Sequence, residues 1–322
     1  MKAYHVYLFN GPYPAKAETE PRPFELITHI YSCLNHGNVN PDIPLCLVTD
    51  TRTKRYYDDL NITALYDEVI TDLHDDYPRD RIASTFWASP KIWAMSKLPA
   101  PFVIFDTDLV LHKPLKDLTD CDLLYLHRET SAIYPNLFDV KGPPGFVWDD
   151  DLVWSFRNTQ PMNCAVVGMF SEAFKSDYVK RYFDFVVDST GEVLFATEGS
   201  RKMHPWSSAQ ILAEQWLIAA VADYWRHSKG TPLRTQAVCS AIWTSEFFFP
   251  FNMDLGSDAV AAEVESTFYH LWGAKAVQNN KGSDKYRIVR DVLNSGRHIV
   301  EKNPRFNAVQ NLFDTLMAEV LN

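Results

Sequence analysis

The sequence lacks the short motifs that identify several common enzyme classes. Its 322 residues contain no C-x-x-C pair, no G-x-S-x-G, no H-E-x-x-H and no G-x-x-x-x-G-K-[ST]. These absences argue against thiol-based zinc or redox centres, α/β-hydrolases, zincins and P-loop NTPases. G-x-G-x-x-G is absent as well, and no Gly-rich basic loop follows the first apolar segment, which disfavours sugar nucleotidylyltransferases.

Cysteine is scarce and is not spaced for pairing. There are five cysteines, an odd number, and the closest two, Cys33 and Cys46, stand 13 residues apart. Most of them have apolar neighbours, which predicts buried, reduced thiols. That state is typical of a cytosolic protein, so we expect a cytoplasmic location.

Long apolar runs and excess positive charge are also missing. No stretch of 18 or more apolar residues occurs, and the N-terminal MKAYHVYLFNGPYP is too short and polar for a secretory signal. We therefore expect no transmembrane segment, so any membrane contact would be peripheral. The formal charge is 31 − 41 = −10, which argues against nucleic acid as the main partner.

Strand-like and helix-like segments alternate along the chain. This alternation predicts βαβ units and an α/β fold with a mainly parallel central sheet flanked by helices. The strands are predicted at Ala3–Phe9, Pro44–Thr49, Tyr66–Ile70, Phe102–Phe105, Leu123–Leu126, Asn163–Phe170 and Phe268–Trp272. The helices are predicted at Phe24–Cys33, Arg52–Leu60, Pro90–Leu98, Ser171–Val187 and Ala209–Arg226.

The regular alternation is interrupted twice and then ends. The segment Arg128–Gln160 is predicted as a long loop with some local structure, and Thr190–Ser208 is a second irregular segment. Long loops in compact domains are usually functional or disordered. We expect one large domain over residues 1–283 and a helical C-terminal extension over residues 284–322 that packs on it.

Two carboxylates follow the most apolar predicted strand. Phe102–Phe105 leads directly into Asp106-Thr107-Asp108, and ligands of parallel sheets bind at the carboxyl ends of the strands. On an extended backbone, the i, i+2 spacing would place both side chains on one side. Two close carboxylates suit Mg²⁺ or Mn²⁺ with a substrate diphosphate. A second triplet, Asp120-Cys121-Asp122, precedes its strand and therefore lies at the opposite end.

Asp106-Thr107-Asp108, with PFVIF before it and LHKPL after it, resembles the D-x-D region of GT-A fold glycosyltransferases, most closely retaining, bacterial-type ones. The resemblance implies that Asp108 and Asp106 hold the metal. His270-Leu-Trp-Gly273-Ala-Lys275 is similar to the H-x-x-G-x-K element of that family, in which the His is the third protein ligand and the Gly and Lys meet the diphosphate. Imidazole suits Mn²⁺ better than Mg²⁺.

Three further segments match that family less closely. Asn163, in MNCAVVGMF, is similar to the Asn of a strand that forms the floor of the sugar pocket. Glu214-Gln215 resembles an acid-Gln pair that contacts donor or acceptor hydroxyls, with Gln210 as an alternative. Lys91 corresponds to a Lys or Arg directed at the donor sugar and phosphates, and Arg81 is a weaker candidate. From the resemblance, Lys91, Glu214 and Gln215 are the expected catalytic residues.

Topology, rather than a motif, indicates where the nucleotide base would lie. The ends of the first two predicted strands bring Asn10 and Asp50 to the ligand-binding edge of the sheet. Asn10, Asp50, Lys91, Asn163, Gly273 and Lys275 are thus the candidate residues for binding the donor.

The sequence predicts a metal-dependent glycosyltransferase that uses a nucleotide-diphosphate sugar, with UDP-sugars favoured, and a glycan or lipid-linked acceptor. Retention of configuration and a setting in polysaccharide biosynthesis follow from the resemblance. Two alternatives stay open. One is a non-catalytic carbohydrate- or nucleotide-binding protein on the same fold, and the other is a carboxylate-based glycoside hydrolase, which requires two acids across a groove.

Overall fold

The structure is a computed structural model, and it divides the chain into two compact units. Unit 1 comprises residues 1–75, 104–117 and 247–322, and unit 2 comprises residues 76–103 and 118–246. The residues that the structure describes are 1–8, 21–74, 76–129, 142–190, 209–240, 242–243, 268–270, 290, 293–294 and 296–321.

Unit 1 contains three neighbouring parallel strands in the order β3-β2-β1. They are β1 (Lys2–Val6), β2 (Leu45–Val48) and β3 (Glu68–Ile70). In their register Ala3 pairs with Leu45, and Cys46 pairs with Glu68. All four residues of β2 are buried, as expected for a strand covered on both faces. The three strands were predicted from the sequence. β2 and β3 are shorter than predicted, and β1 begins one residue earlier and ends at Val6.

One strand precedes the Asp106–Asp108 segment in the sequence and another follows it. The strand β4 (Phe102–Phe105) is buried throughout and crosses the boundary between the units. After a short turn, β5 (Leu109–Leu111) pairs antiparallel with β11 (Phe268–His270). The prediction of β4 is correct to the residue.

The helices described in unit 1 include α1 (Pro23–Val39), α2 (Thr51–Asp59) and α7 (Phe306–Leu321), and residues 296–300 are helical as well. Helix α1 starts with proline, whose missing N–H costs nothing in the first turn. Helix α7 packs on α1, and its buried residues recur at helical spacing (Phe306, Val309, Phe313, Leu316, Met317 and Val320).

Unit 2 contains a mixed group of strands in the order β8-β6-β9. Strand β6 (Leu123–Tyr125) pairs antiparallel with β8 (Val166–Met169) and parallel with β9 (Thr235–Ala237). A separate pair is formed by β7 (Arg128–Glu129) and β10 (Ile242–Trp243), which run parallel.

The helices of unit 2 include one that the sequence prediction missed. They are α3 (Ser89–Lys97), α4 (Asp150–Asn158), α5 (Glu172–Val186), a π-helical segment (Leu212–Trp216) and α6 (Leu217–His227). Helix α4 lies in the segment predicted as a long loop. Its N-cap is Asp149, whose carboxylate accepts the amide hydrogen of Asp151 at 2.9 Å, so the acidic run starts a helix.

The described ranges also contain short 3-10 helices. They lie at Ile62–Leu65, Asp72–His74, Arg79–Arg81 and Leu115–Leu118. The predicted fold class is confirmed, since the protein is α/β with mainly parallel strands flanked by helices. No helix within the described ranges is long and apolar enough to span a membrane.

The packing of unit 1 leaves no room for a side chain at Gly296. A Cβ atom there would come within 1.5 Å of the hydroxyl oxygen of Tyr31, a buried residue of α1. We expect Gly296→Ala to destabilise the protein by about 1–3 kcal/mol through overpacking. Helix propensity alone predicts the opposite sign, a gain of about 1 kcal/mol. The free energy of unfolding from urea titration distinguishes the two, and a gain in stability would contradict the described packing.

Candidate functional site

The Asp106–Asp108 segment forms a tight turn between β4 and β5. The backbone N–H of Leu109 donates to the carbonyl oxygen of Asp106 at 3.0 Å, which is the i to i+3 hydrogen bond of a β-turn. The predicted extended backbone at this segment is therefore wrong, because the chain reverses here to begin β5. Asp108 is buried, with 4% of its surface exposed, whereas Asp106 is half-buried.

The pairing of β11 with β5 places His270 beside this turn. In the antiparallel register His270 is the partner of Leu109, the residue that follows Asp108. The backbone of unit 1 thus brings together three residues that the sequence analysis chose as metal ligands from distant positions. Gly273 and Lys275, which come next in the same motif, lie outside the described residues, as does Asn10.

The chemistry of this donor set fits a divalent cation. Two carboxylates and an imidazole suit Mn²⁺, which accepts both oxygen and nitrogen ligands. Because Asp108 is only 4% exposed, a cation bound at its carboxylate would be little screened by water.

Asp50 has a clear structural role. It is the N-cap of α2, and its carboxylate accepts the amide hydrogen of Thr53 at 2.7 Å. The hydrogen bond satisfies one of the free N–H groups of the first helical turn. A role of Asp50 in nucleotide binding stays a prediction.

In unit 2, Lys91 and Glu214 form a buried ion pair. Lys91 Nζ lies 2.5 Å from Glu214 Oε1 and also donates to the carbonyl oxygen of Cys164 at 2.9 Å. The two charged side chains are 9% and 2% exposed. Lys91, which lies near the start of α3, is therefore no solvated surface lysine, and its charge is balanced inside the protein.

Gln210 links Glu214 to the start of α3. Its Nε2 donates to Glu214 Oε2 at 3.3 Å, and its Oε1 accepts the amide hydrogen of Ala88 at 3.3 Å. Glu214 and Gln215 both lie in the π-helical segment, an irregularity that is frequent at functional sites. The carbonyl oxygen of Gln215 accepts the amide hydrogen of Met162 at 3.0 Å. Its side chain is half-buried.

Asn163 contacts an acid that the sequence analysis did not single out. Its Nδ2 donates to Glu129 Oε1 at 2.6 Å, and its Oδ1 accepts the amide hydrogen of Ala165 at 3.0 Å. Burial is the main cause that raises the pKa of Glu129 to about 7; the Asn163 hydrogen bond opposes the rise, and the negative charge of Glu214 contributes to it. We call Lys91, Gln210, Glu214, Asn163 and Glu129 the polar cluster of unit 2.

A sequence signal for Glu129 exists. It follows the apolar run Leu123–Leu126 by three residues, at the carboxyl end of a strand, where the same rule selected Asp106. Arg81, the weaker candidate, does not join the cluster described here. Its guanidinium forms an exposed ion pair with Asp188, with Nε 3.0 Å from a carboxylate oxygen.

The buried ion pair predicts a sharp cost for removing one partner. We expect Lys91→Met to destabilise the protein by about 3–5 kcal/mol, because it leaves Glu214 charged and desolvated. Adding Glu214→Gln to that variant should recover most of the loss. Urea unfolding at pH 7 measures both. The matched control is Lys180→Met, which breaks the exposed pair with Asp184 and should cost less than about 1 kcal/mol.

The raised pKa of Glu129 predicts a pH-dependent stability. Between the ordinary value of 4.5 and about 7, the folded state holds a proton that the unfolded state has lost, so stability falls as the pH rises through this window. The loss is on the order of 3 kcal/mol at completion. Glu129→Gln preserves the oxygen that accepts from Asn163 and should flatten the profile. Unfolding midpoints at pH 4.5–8 test this, and parallel profiles for both proteins would contradict it.

Several solved structures similar to this chain are glycosyltransferases. The apo structure of the bifunctional glycosyltransferase WbbM matches with a TM-score of 0.51 and 9% sequence identity, over 100% of this chain. The chain spans about half of that protein, 52% of its length. At this identity the likeness shows the fold alone, which is GT-A-like.

Two other structures are similar at lower scores. Mouse xyloside xylosyltransferase 1 in its apo form has a TM-score of 0.40 and 13% identity, covering 84% of this chain and 96% of that one. An active-site mutant of LgtC has a TM-score of 0.38 and 10% identity, covering 89% of this chain and 99% of that one.

Among proteins with curated descriptions, none matches the sequence significantly. A family model does match it. The model is described as a family of unknown function, DUF6734, and it covers residues 19–238, more than half of the chain. That stretch includes the Asp106–Asp108 turn and the whole polar cluster of unit 2. The chain therefore belongs to the DUF6734 family.

Proposed function

We propose that this protein is a metal-dependent glycosyltransferase that transfers a sugar from a nucleotide-diphosphate donor. The observation that carries the proposal is the Asp106–Asp108 turn with His270 opposite Leu109 on the paired strand. The turn directly follows a buried strand of a GT-A-like fold, which supports the proposal. The resemblance to D-x-D enzymes assigns the same three residues independently of the structure.

Asp106, Asp108 and His270 would hold Mn²⁺ or Mg²⁺. When bound, the cation supplies positive charge that stabilises the leaving diphosphate. Asp108 is desolvated, which strengthens its attraction for a cation. The roles of Gly273 and Lys275 at the diphosphate, and of Asn10 and Asp50 at the nucleoside, stay predictions.

The polar cluster of unit 2 has the composition expected for recognition of sugar hydroxyls. It combines amide, carboxylate and ammonium groups in two buried sets of contacts, which are close enough for the charge of Glu214 to affect Glu129. The roles of Lys91, Asn163, Glu214 and Gln215 at the donor sugar, which the resemblance implies, belong to this proposal. Because Lys91 is already paired with Glu214, the pair acts as a rigid unit rather than as two free groups.

The finer points of the reaction rest on the resemblance. We propose a UDP-sugar as donor, retention of configuration, and a glycan or lipid-linked acceptor of the kind used in polysaccharide biosynthesis. A nucleotide-sugar donor is compatible with the cytoplasmic location that the reduced cysteines predict.

Ligand-dependent thermal unfolding tests the donor site. Mn²⁺ with the matching nucleoside diphosphate should raise the Tm by several degrees, since a ligand at a hundred times its Kd adds about 2.7 kcal/mol. Asp108→Asn should abolish the shift. Asp120→Asn is the matched control, because it alters the other D-x-D triplet at an exposed ion pair with Arg234, and it should keep the full shift.

Three other outcomes would count against the proposal. A metal-dependent shift without transfer of sugar to water or to any glycan acceptor would favour the non-catalytic binding protein. Hydrolysis of a glycoside by protein that shows no nucleotide-dependent shift would favour the carboxylate-based hydrolase. Folded protein that gives neither a shift nor any turnover would overturn the glycosyltransferase proposal.

A further inference from the structure

Three of the four large apolar residues that are exposed in the described part of the chain lie in unit 2. Trp87 has 56% of its surface exposed, Trp154 has 51% and Val147 has 84%. A buried tryptophan removes about 150–250 Å² from water, and an exposed one forgoes much of that gain. Exposed apolar patches often mark binding sites. The roles proposed above for the polar cluster use none of these three residues.

One group of aromatic rings in unit 2 adjoins both Trp87 and Val147. The ring of Phe185 on α5 is their common contact, and three other rings are centred 6.0, 5.5 and 4.8 Å from it (Phe86, Phe146 and Trp148). We call these four residues the aromatic layer of unit 2. Trp87 follows the first of the three in the chain, and Val147 stands between the other two. Two exposed apolar residues from distant segments therefore border the same layer.

A tight turn fixes the segment that holds Val147. The backbone N–H of Phe146 donates to the carbonyl oxygen of Pro143 at 3.0 Å. Between them stand Pro144 and Gly145, and Gly145 has a φ of +77°. This is the pattern of a type II turn, with proline and glycine at the positions that the type favours. Because the segment is already ordered, it would lose little conformational freedom on binding a ligand.

Two sets of contacts connect the aromatic layer with the polar cluster of unit 2. The residue after Trp87 donates its amide hydrogen to Gln210 Oε1 at 3.3 Å. The ring of Trp148 is centred 5.2 Å from that of Phe156, whose carbonyl oxygen accepts from Nε1 of Trp216 in the π-helical segment at 3.0 Å. The exposed apolar residues therefore lie close to the groups proposed to recognise sugar hydroxyls.

Trp154, the other exposed tryptophan, lies elsewhere in unit 2. Its ring is centred 5.9 Å from that of His227, the last residue of α6. The polar cluster, in contrast, includes Gln210 and Glu214, which precede the first residue of α6. The 11 residues of this helix span about 16 Å. Trp154 is therefore a tryptophan of similar exposure at the far end of α6.

We propose that Trp87 and the 143–148 segment form an acceptor subsite that binds one pyranose ring of a neutral glycan. This inference rests on the proposed function, because it assigns the acceptor of that reaction to a place in unit 2. The flat indole of Trp87 would cover the apolar C–H face of the sugar. The sugar hydroxyls would stay in water or bond to polar groups nearby. Ligand sites commonly combine an aromatic lining with a few polar groups in this way.

The charges beside these residues favour a glycan over a lipid surface. Trp148 is followed directly by three exposed carboxylates (Asp149, Asp150 and Asp151). An anionic membrane leaflet would repel them, whereas the hydroxyls of a neutral sugar can donate hydrogen bonds to carboxylates. The guanidinium of Arg81 does not offset this charge, because it is paired with Asp188.

Saturation-transfer difference NMR on the full-length protein tests the subsite. The probes are the methyl glycosides of glucose, galactose, mannose and N-acetylglucosamine at millimolar concentration, and at least one should receive saturation from the protein. Trp87→Ala should weaken its binding about tenfold, because a tryptophan at the centre of a small contact supplies much of the affinity. Trp87→Phe keeps a flat ring and should bind more tightly than the alanine variant. Trp154→Ala is the matched control and should bind as the wild type does.

Three results would overturn the subsite. They are no saturation of any of the probes, equal saturation with wild type and Trp87→Ala, and equal weakening by Trp87→Ala and Trp154→Ala. Co-sedimentation with phosphatidylcholine vesicles that depends on Trp87, without binding of a glycoside, would overturn it as well and would assign the patch to a membrane surface.

The thermal shift with Mn²⁺ and a nucleoside diphosphate, measured on the same wild-type protein, separates this inference from the proposed function. A protein that shows the shift but binds no glycoside contradicts the subsite alone. A protein that binds a glycoside through Trp87 but shows no shift contradicts the donor site, and the sugar-binding surface stands.

Discussion

A charged group that this fold buries needs a partner or must lose its charge, because the cost of desolvating an isolated charge would exceed the stability of a typical domain. Lys91 satisfies this constraint with Glu214 and the Cys164 carbonyl, and Glu129 satisfies it partly by holding a proton near pH 7. In unit 1, the buried rings of His5 and His29 form hydrogen bonds with the hydroxyl of Tyr66. The candidate functional residues of unit 2 are therefore also residues whose buried polar groups pair with one another.

The predictable part of the fold is the part determined by apolar segments. Strand β4 is a continuous apolar run between a proline and an aspartate, so both its position and its end could be read from the sequence. Asp106 and Asp108 could be chosen as candidate metal ligands from the sequence for the same reason, because they directly follow that apolar run. Helix α4 was missed because its segment is rich in Pro, Gly and Asp, although Asp149 is a good N-cap.

The other features that the sequence did not predict depend on tertiary contacts. The turn at Asp106–Asp108 depends on β5 pairing with β11, whose strand lies more than 150 residues away in the chain. Burial of Lys91 depends on a carboxylate from the π-helical segment. The hydrogen bond of the buried Glu129 depends on Asn163 lying opposite it. Such pairings join distant segments, and local periodicity contains no information about them.

The π-helical segment at Leu212–Trp216 also affects how this helix compares with its counterparts in similar folds. A π-helical turn amounts to one extra residue within an α-helix, and one residue corresponds to a rotation of about 100°. An alignment with a regular helix would therefore need a gap inside the helix, placed near Glu214. An alignment without that gap would match Glu214 and Gln215 to side chains on the wrong face of the helix.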